Sequence, residues 1–212
     1  MQSPVKFETL DVQGVYPAIY AMRHPYESYD RSDTVDDGEI GEADKDLSIR
    51  LQKGGPEHCK HLRMIHVWVD ITGPRLWYTE LDTYRAGVEK ISQSTMHMIT
   101  KRPFVESDFA HDDNQLARSM LPGTLYTMNT LRDMYLKEED PVKKKEIWRV
   151  LIQSLPQGYM QKRTYDFSYA ALRNIVRQRK GHRLKEWAEF IDWCHTLPYS
   201  WMIFDEEPND NE

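Results

Sequence analysis

Two stretches of this chain carry residue types that could hold and polarise an anion. The first is Glu80-Leu81-Asp82-Thr83-Tyr84-Arg85, with Ser92-Gln93-Ser94 seven residues beyond Arg85; the second runs from Leu155-Pro156 through Asn174 to Arg179. Arginine is always charged and can bind two oxygens at once, which suits a phosphate or a ring carbonyl gathering negative charge. Glu80 can only accept hydrogen bonds, whereas a neutral amide both donates and accepts. Upstream, Glu57-His58-Cys59-Lys60-His61 adds imidazoles and a thiol. The chain has no Gly-x-Gly-x-x-Gly, no Gly-Lys-Ser/Thr phosphate loop and no Gly-x-Ser-x-Gly elbow, which argues against Rossmann, P-loop and α/β-hydrolase enzymes.

Each of these groups also has a plain reading. Arg85 and Arg179 suit the carboxyl ends of helices, where a cation meets the negative end of the dipole. Ser92, Ser94 and Thr95 suit a loop or a helix cap. His58-Cys59-x-His61 with His66 contains zinc-ligand types, but not at the spacing of a closed zinc site and without a second cysteine pair. Trp68, Trp77, Trp148, Trp187 and Trp193 read as core and interface groups, and Lys143-Lys144-Lys145 as a solvated helix face.

The elements that must position these residues follow from periodicity. A strand is expected near Val5 to Val12, a short helix around Ala18 to Met22, and a second helix over 42–53 stopped by Gly54-Gly55-Pro56. Leu62 to Thr72 alternates as a strand, with Met64, Val67, Val69 and Ile71 apolar. Pro74 then opens a helix through Leu76, Trp77, Leu81 and Tyr84, whose end carries Thr83-Tyr84-Arg85. Further helices are predicted over Thr124 to Glu138, over Pro141 to Gln153 capped by Asp140, and over Asp166 to Arg179. The last, His182 to His195, places Leu184, Trp187, Ala188 and Ile191 on one face.

At 212 residues the chain has room for a real core, and the organisation expected is a single domain over 1–204 with a mobile acidic loop at 30–42 and a disordered acidic tail at 205–212. The net charge of −6 is uneven: residues 30–46 contribute −6 and 205–212 contribute −5, so the rest carries +5. That balance favours a small anionic ligand over nucleic acid. Cys59 and Cys194 are too few for a disulfide framework, and no apolar run of membrane-spanning length or signal-peptide layout is present, so a soluble cytoplasmic protein is expected.

By order and spacing over most of residues 43–198, the chain resembles the flavin-dependent thymidylate synthases (ThyX), as a diverged, phage-type member. Thr83-Tyr84-Arg85 occupies the family's Arg-His-Arg triplet, keeping its last arginine. Ser92-Gln93-Ser94 or Ser94-Thr95-Met96 occupies its Ser-x-Arg, keeping the serine. Glu80 stands where the family has a nucleotide-contacting glutamine. Asn174 falls on a flavin-contacting asparagine and Arg179 on the arginine that meets the pyrimidine, while Ile152, Ser168 and Ala170 replace an arginine, an asparagine and an arginine. Arg149, Lys162, Arg163 and Arg173 lie close in sequence to these losses. The histidine-containing segment before the strand corresponds to one that meets the flavin, with His61 the first choice and His58 behind it.

The resemblance implies a mixed α/β (α+β) fold, a twisted sheet flanked by helices with a helical carboxy-terminal half, in a homotetramer with shared sites. It implies FAD as cofactor, with methylenetetrahydrofolate and NADPH as co-substrates, in C5 methylation or hydroxymethylation of a pyrimidine deoxynucleotide such as dUMP. Arg179 and Glu80 would be the catalytic residues. His61, Tyr84, Arg85 and Asn174 would hold the cofactor, and Ser92, Ser94 and Arg179 the substrate; no metal is implied. An exchanged glutamine at Glu80 favours a ring amine, as in cytosine, over a ring oxygen. Two other classes fit the sequence: a non-catalytic relative that binds another ligand or a protein, and a small interaction module whose acidic tail mimics nucleic acid.

Overall fold

The computed structural model describes residues 5–35, 38–112 and 114–205. Most of the expected acidic tail, from Glu206 onward, and Asp36-Asp37 of the acidic loop lie outside the described residues. In chain order the elements are β1 (Lys6–Gln13), α1 (Val15–Ala21), α2 (Glu42–Lys53), β2 (His66–Pro74), α3 (Arg75–Leu81), β3 (Val88–Ser92), α4 (Thr95–Met98), α5 (Gln115–Lys137), α6 (Pro141–Gln153), β4 (Met160–Ser168), α7 (Tyr169–Arg179) and α8 (Lys185–His195). The strands form an antiparallel sheet in the order β1-β2-β4-β3. The mixed α/β class expected from the sequence is the one observed.

Several expectations need correcting, among them the helix expected to run through Tyr84, which ends at Leu81 and leaves Thr83-Tyr84-Arg85 outside it. β4 and the edge strand β3 were not anticipated, and the helix expected from Asp166 begins at Tyr169, because Gln161, Tyr165 and Phe167 are buried between more exposed neighbours at a period of two. The strand expected from Leu62 begins at His66, because Leu62 and Arg63 belong to a 3-10 turn over Lys60–Arg63, and Met64 is half exposed. Helix α5 starts at Gln115, capped by Asn114, and runs through Pro122. An interior proline costs about 3 kcal/mol, but Leu121 and Met128, two turns apart on either side of it, are buried in one cluster, so packing outweighs the local penalty. On α8 the buried stripe is Trp187, Phe190, Trp193 and Cys194, whereas Ala188 is exposed.

The chain divides into two compact units. One comprises Met1–Lys6, Ile71–Thr83 and Ile91–Arg163. Its apolar cluster joins Ile99, Phe104, Phe109, Leu121, Met128, Leu151, Leu155 and Tyr159, with α5 packed on α6. Asp140 caps α6 as expected, accepting from the amides of Val142 (2.8 Å) and Lys143 (3.3 Å). Asn129 ties the preceding loop to α5 by bonding both backbone groups of Phe104.

The other unit comprises Phe7–Asp70, Tyr84–Lys90 and Thr164–Glu212. Its core is aromatic: Phe7 stacks on Trp193 at 5.3 Å, Phe167 meets Phe190 edge-on at 5.9 Å, and Trp187 meets Phe190 at 5.7 Å. Helix α2 of this unit buries polar groups instead. Asp44, Ser48 and Gln52, each four residues from the next, form its inward stripe. Asp44 is fully buried and pairs with Arg23 at 2.6 Å while accepting from Ser32 and Thr34. Burial alone would raise this carboxyl, but those hydrogen bonds hold it below the usual carboxylate range.

Candidate functional site

Both sequence blocks contribute to one constellation in the second unit. Helix α7 ends at Arg179, and its residues Asn174 and Gln178 lie four apart on one face. Gln178 Nε2 donates to Asn174 Oδ1 at 2.9 Å, Tyr84 Oη donates to Gln178 Oε1 at 3.0 Å, and Arg179 Nε donates to Tyr84 Oη at 2.9 Å. The Arg179 guanidinium also lies 4.5 Å from the Trp187 ring centre and 5.4 Å from that of Tyr84, within cation–π range. Tyr84, Asn174 and Arg179, three of the residues singled out in the sequence, are thus joined through Gln178, which was not.

Beside this relay lies a cleft of about 660 Å³ lined by Cys59, Arg63, Gly87, Ser168, Asn174 and Arg177, among others. That size falls in the range of roughly 300 to 1,000 Å³ typical of ligand sites. Gly87 sets one wall. Its φ is +69°, its carbonyl accepts from the Ser168 amide at 2.8 Å, and a β-carbon there would come within 2.3 Å of Ser168 Oγ. Only glycine lets the segment after Arg85 approach the start of α7 this closely. Arg85 itself is exposed, next to Ala86 and Gly87 of the wall.

Ala170 also lines the cleft, and Arg173 and Arg177 line it from the same helix. Arg173 is buried and held through both terminal nitrogens: Nη1 donates to Gln52 Oε1 (2.5 Å) and to the carbonyls of Met202 and Phe204 (both 3.1 Å), and Nη2 donates to Asp205 (2.5 Å). Arg177 pairs with the same carboxylate through Nε (2.7 Å) and Nη2 (2.6 Å). These bonds, Arg177's foremost, hold Asp205 below the usual carboxylate range. Burial pushes the Cys59 thiol up, against the pull of Arg173, Arg177 and Arg63.

His61 does not line the cleft; it is 3% exposed and sits behind Arg173. Ser48 Oγ is 2.9 Å from His61 Nε2 and accepts from Gln52 Nε2 at 3.1 Å, which leaves the hydroxyl proton for the imidazole. Gln52 in turn accepts from Arg173. Burial first, and then the Arg173 charge, lower the His61 pKa to about 4, so the ring is neutral. In this unit His61 positions Arg173 through Ser48 and Gln52. His58 is exposed, with Glu57 3.8 Å away.

Glu80, Ser92 and Ser94 belong to the other unit. Glu80 is half-buried in the last turn of α3, and its carbonyl accepts from Thr83 Oγ1 at 2.7 Å. Ser92 ends β3 and Ser94 precedes α4, both exposed. In the same unit Arg163 is engaged by Asp82 (2.9 and 3.1 Å) and stacks 3.8 Å over Tyr78. Sequence reasoning missed Ser48, Gln52, Arg63, Arg177, Gln178 and Asp205. The four-residue repeat of Asp44, Ser48 and Gln52 was the available signal, a helical stripe written in polar residues. Among the described residues no group of three or more His, Cys, Asp or Glu is placed to hold a metal.

No protein-family model matches this chain, and no curated protein does. Solved structures do. The crystal structure of thymidylate synthase X from Helicobacter pylori with FAD and dUMP aligns with a TM-score of 0.68 at 17% identity, over 93% of this chain and 95% of that one. Another structure of the flavin-dependent enzyme from that organism, also with FAD and dUMP, aligns with a TM-score of 0.72 at 20% identity, over 94% and 98%. The chain has the ThyX fold. Two short sequence blocks had pointed to that fold, and the ThyX likeness extends over nearly the whole chain. No helix among the described residues is long and apolar enough to cross a membrane.

Proposed function

We propose that the protein is a flavin enzyme acting on C5 of a pyrimidine deoxynucleotide, with FAD as cofactor and methylenetetrahydrofolate and NADPH as co-substrates. The observation that carries this reading is the relay Arg179–Tyr84–Gln178–Asn174, whose Asn174 lines a cleft, within a fold whose solved examples hold FAD and dUMP. The cleft residues suit a flavin nucleotide. Leu62, Pro56 and Ala171 offer apolar wall, the Asn174 amide offers both a donor and an acceptor, and the guanidinia match phosphate oxygens. A bound flavin would supply hydride chemistry.

In this reading Arg179, supported on Trp187 and Tyr84, holds the pyrimidine and stabilises negative charge on its carbonyl oxygens. Asn174 orients the cofactor, with Tyr84 fixing it through Gln178, and Arg85 and the cleft arginines meet phosphates. Ser92 and Ser94 donate to the nucleotide, and Glu80 selects the base. The reading includes a homotetramer in which the chains share sites. The first test is the visible spectrum of the purified protein after adding excess FAD and desalting. Flavin bands in proportion to protein support the reading, and a colourless protein overturns it. Deoxyuridylate binding tighter than deoxycytidylate, with Glu80→Gln changing neither, would remove Glu80 from the site.

One observation favours a second reading, a non-catalytic relative. Arg173 and Arg177 already share a carboxylate, and Arg179 already rests on Tyr84 and Trp187, so these cations have partners without any ligand. Retained flavin that is not oxidised in a nucleotide-dependent reaction would select it.

A further inference from the structure

We propose that Arg63, Arg173 and Arg177 form a phosphate-binding site in which Asp205 is the resident anion, so that a phosphate-bearing ligand enters by taking the place of that carboxylate at Arg177. The inference rests on the reading above only in taking the cleft as the ligand site; it requires no flavin chemistry.

The charged side chains that line the cleft are all cations. Arg173, 6% exposed, is fixed in place by Gln52 and two backbone carbonyls, and its buried Nε has no hydrogen-bond partner among the described residues. A buried guanidinium with an unused donor at the wall of an open cleft is a built feature, since such groups are costly unless satisfied. The wall also includes the first turn of α7, through Ser168, Ala170 and Ala171, where the helix dipole favours an anion. Ala170 presents only a methyl group there, so the cations that serve this wall are those at 173 and 177, further along the helix.

Among the described residues, the carboxylate set against Arg173 and Arg177 is that of Asp205. Asp205 accepts from Arg173 at 2.5 Å and from Arg177 at 2.6 and 2.7 Å, a two-oxygen match to donors that could serve a third. A phosphate group carries about −1.5 to −2 charges and three acceptor oxygens, a better complement than a single carboxylate. The exchange is also local. The Arg177 and Asp205 side chains are 49% and 54% exposed, so parting them opens no core, while Arg173 stays anchored from behind. The ligand chemistry is the phosphate of a nucleotide or of a nucleotide cofactor.

The test uses inorganic pyrophosphate as probe, titrated calorimetrically into the full-length protein at low ionic strength. Asp205→Asn, which keeps the shape and removes the charge, should bind it about tenfold more tightly than the wild type, and Arg177→Ala about tenfold more weakly. Equal or weaker binding by Asp205→Asn overturns the proposal. The wild type supplies a second readout: pyrophosphate should speed amide hydrogen exchange at Phe204 and Asp205, and binding without that change overturns the displacement. Deoxyuridylate and FAD are then titrated against bound pyrophosphate. Displacement by either supports the site and names the source of the phosphate, and displacement by neither overturns the nucleotide assignment. Pyrophosphate bound by a protein that retains no FAD would sink the flavin reading and leave this one standing.

Discussion

Two arginines of α7 are held in opposite ways. Arg173 is buried and surrounded by a glutamine, two backbone carbonyls and a carboxylate, contacts that tie α2 and the segment ending at Asp205 to one guanidinium. Arg179, at the end of the same helix, is half-buried against a phenol oxygen and the faces of two rings. A guanidinium whose terminal nitrogens are held by carbonyls and a carboxylate organises the chain. One resting on aromatic faces is positioned yet keeps its affinity for a ligand's oxygens. The contrast separates an arginine that chiefly ties elements of this unit together from one that chiefly rests on side-chain faces.

The largest effect should come from Arg173→Met. It leaves Gln52 and two carbonyls without their donor, and about 3 kcal/mol of stability should be lost, read from urea unfolding. A loss under about 1 kcal/mol would erase the contrast. Next is the pH dependence that the neutral His61 imposes. Its folded pKa, about 4, is depressed, so its contribution is fully present above about pH 6.5 and is lost as pH falls toward 4, because the unfolded chain then takes up a proton that the folded one refuses. The loss should amount to at most about 3 kcal/mol, and His61→Asn should flatten the slope in that window. An unchanged slope would mean that His61 is not the group responsible.

Arg179→Ala should do the reverse of Arg173→Met. Stability should change by less than about 1 kcal/mol, while deoxynucleotide binding weakens by about 2 kcal/mol, roughly thirtyfold. A stability loss as large as that of Arg173→Met would show that both arginines are structural. The smallest effect is expected of Tyr84→Phe. It removes the hydroxyl joining Arg179 to Gln178 and should cost about 1 kcal/mol in stability or in ligand affinity. In a double-mutant cycle with Arg179→Ala the two should be non-additive; additive effects would dissolve the relay.

How much of this could be read beforehand depended on how each element advertises itself. Helix α6 was legible to the residue, because Asp140, Pro141 and an amphipathic run mark its start by local chemistry. Strand β3 was not, since its residues are mostly exposed and present no alternation. Strand β4 had the alternation, but its polar inward residue, Gln161, disguised the pattern. Helix α2 was placed correctly by the Gly54-Gly55-Pro56 stop, while its polar inward stripe, and with it the support for Arg173, stayed hidden. Apolar periodicity cannot report a buried face built from aspartate, serine and glutamine. Of the site, Tyr84, Asn174 and Arg179 were nominated and do meet. His61 was nominated for the cofactor but lies behind the cleft wall.

The sequence by itself determined most of the helices and the identity of the groups able to bind anions, while the class of the fold came from its resemblance to a known family. The first two depend on local propensity, capping and residue chemistry, which act over a few neighbouring positions. The tertiary structure alone decided which cations face a cleft, which are consumed by partners and which carboxylate neutralises them. Pairings such as Arg173 with Gln52 and Asp205, or Tyr84 with Arg179, join residues far apart in the chain. Their existence turns on burial, and burial is a property of the packed chain rather than of any segment of it.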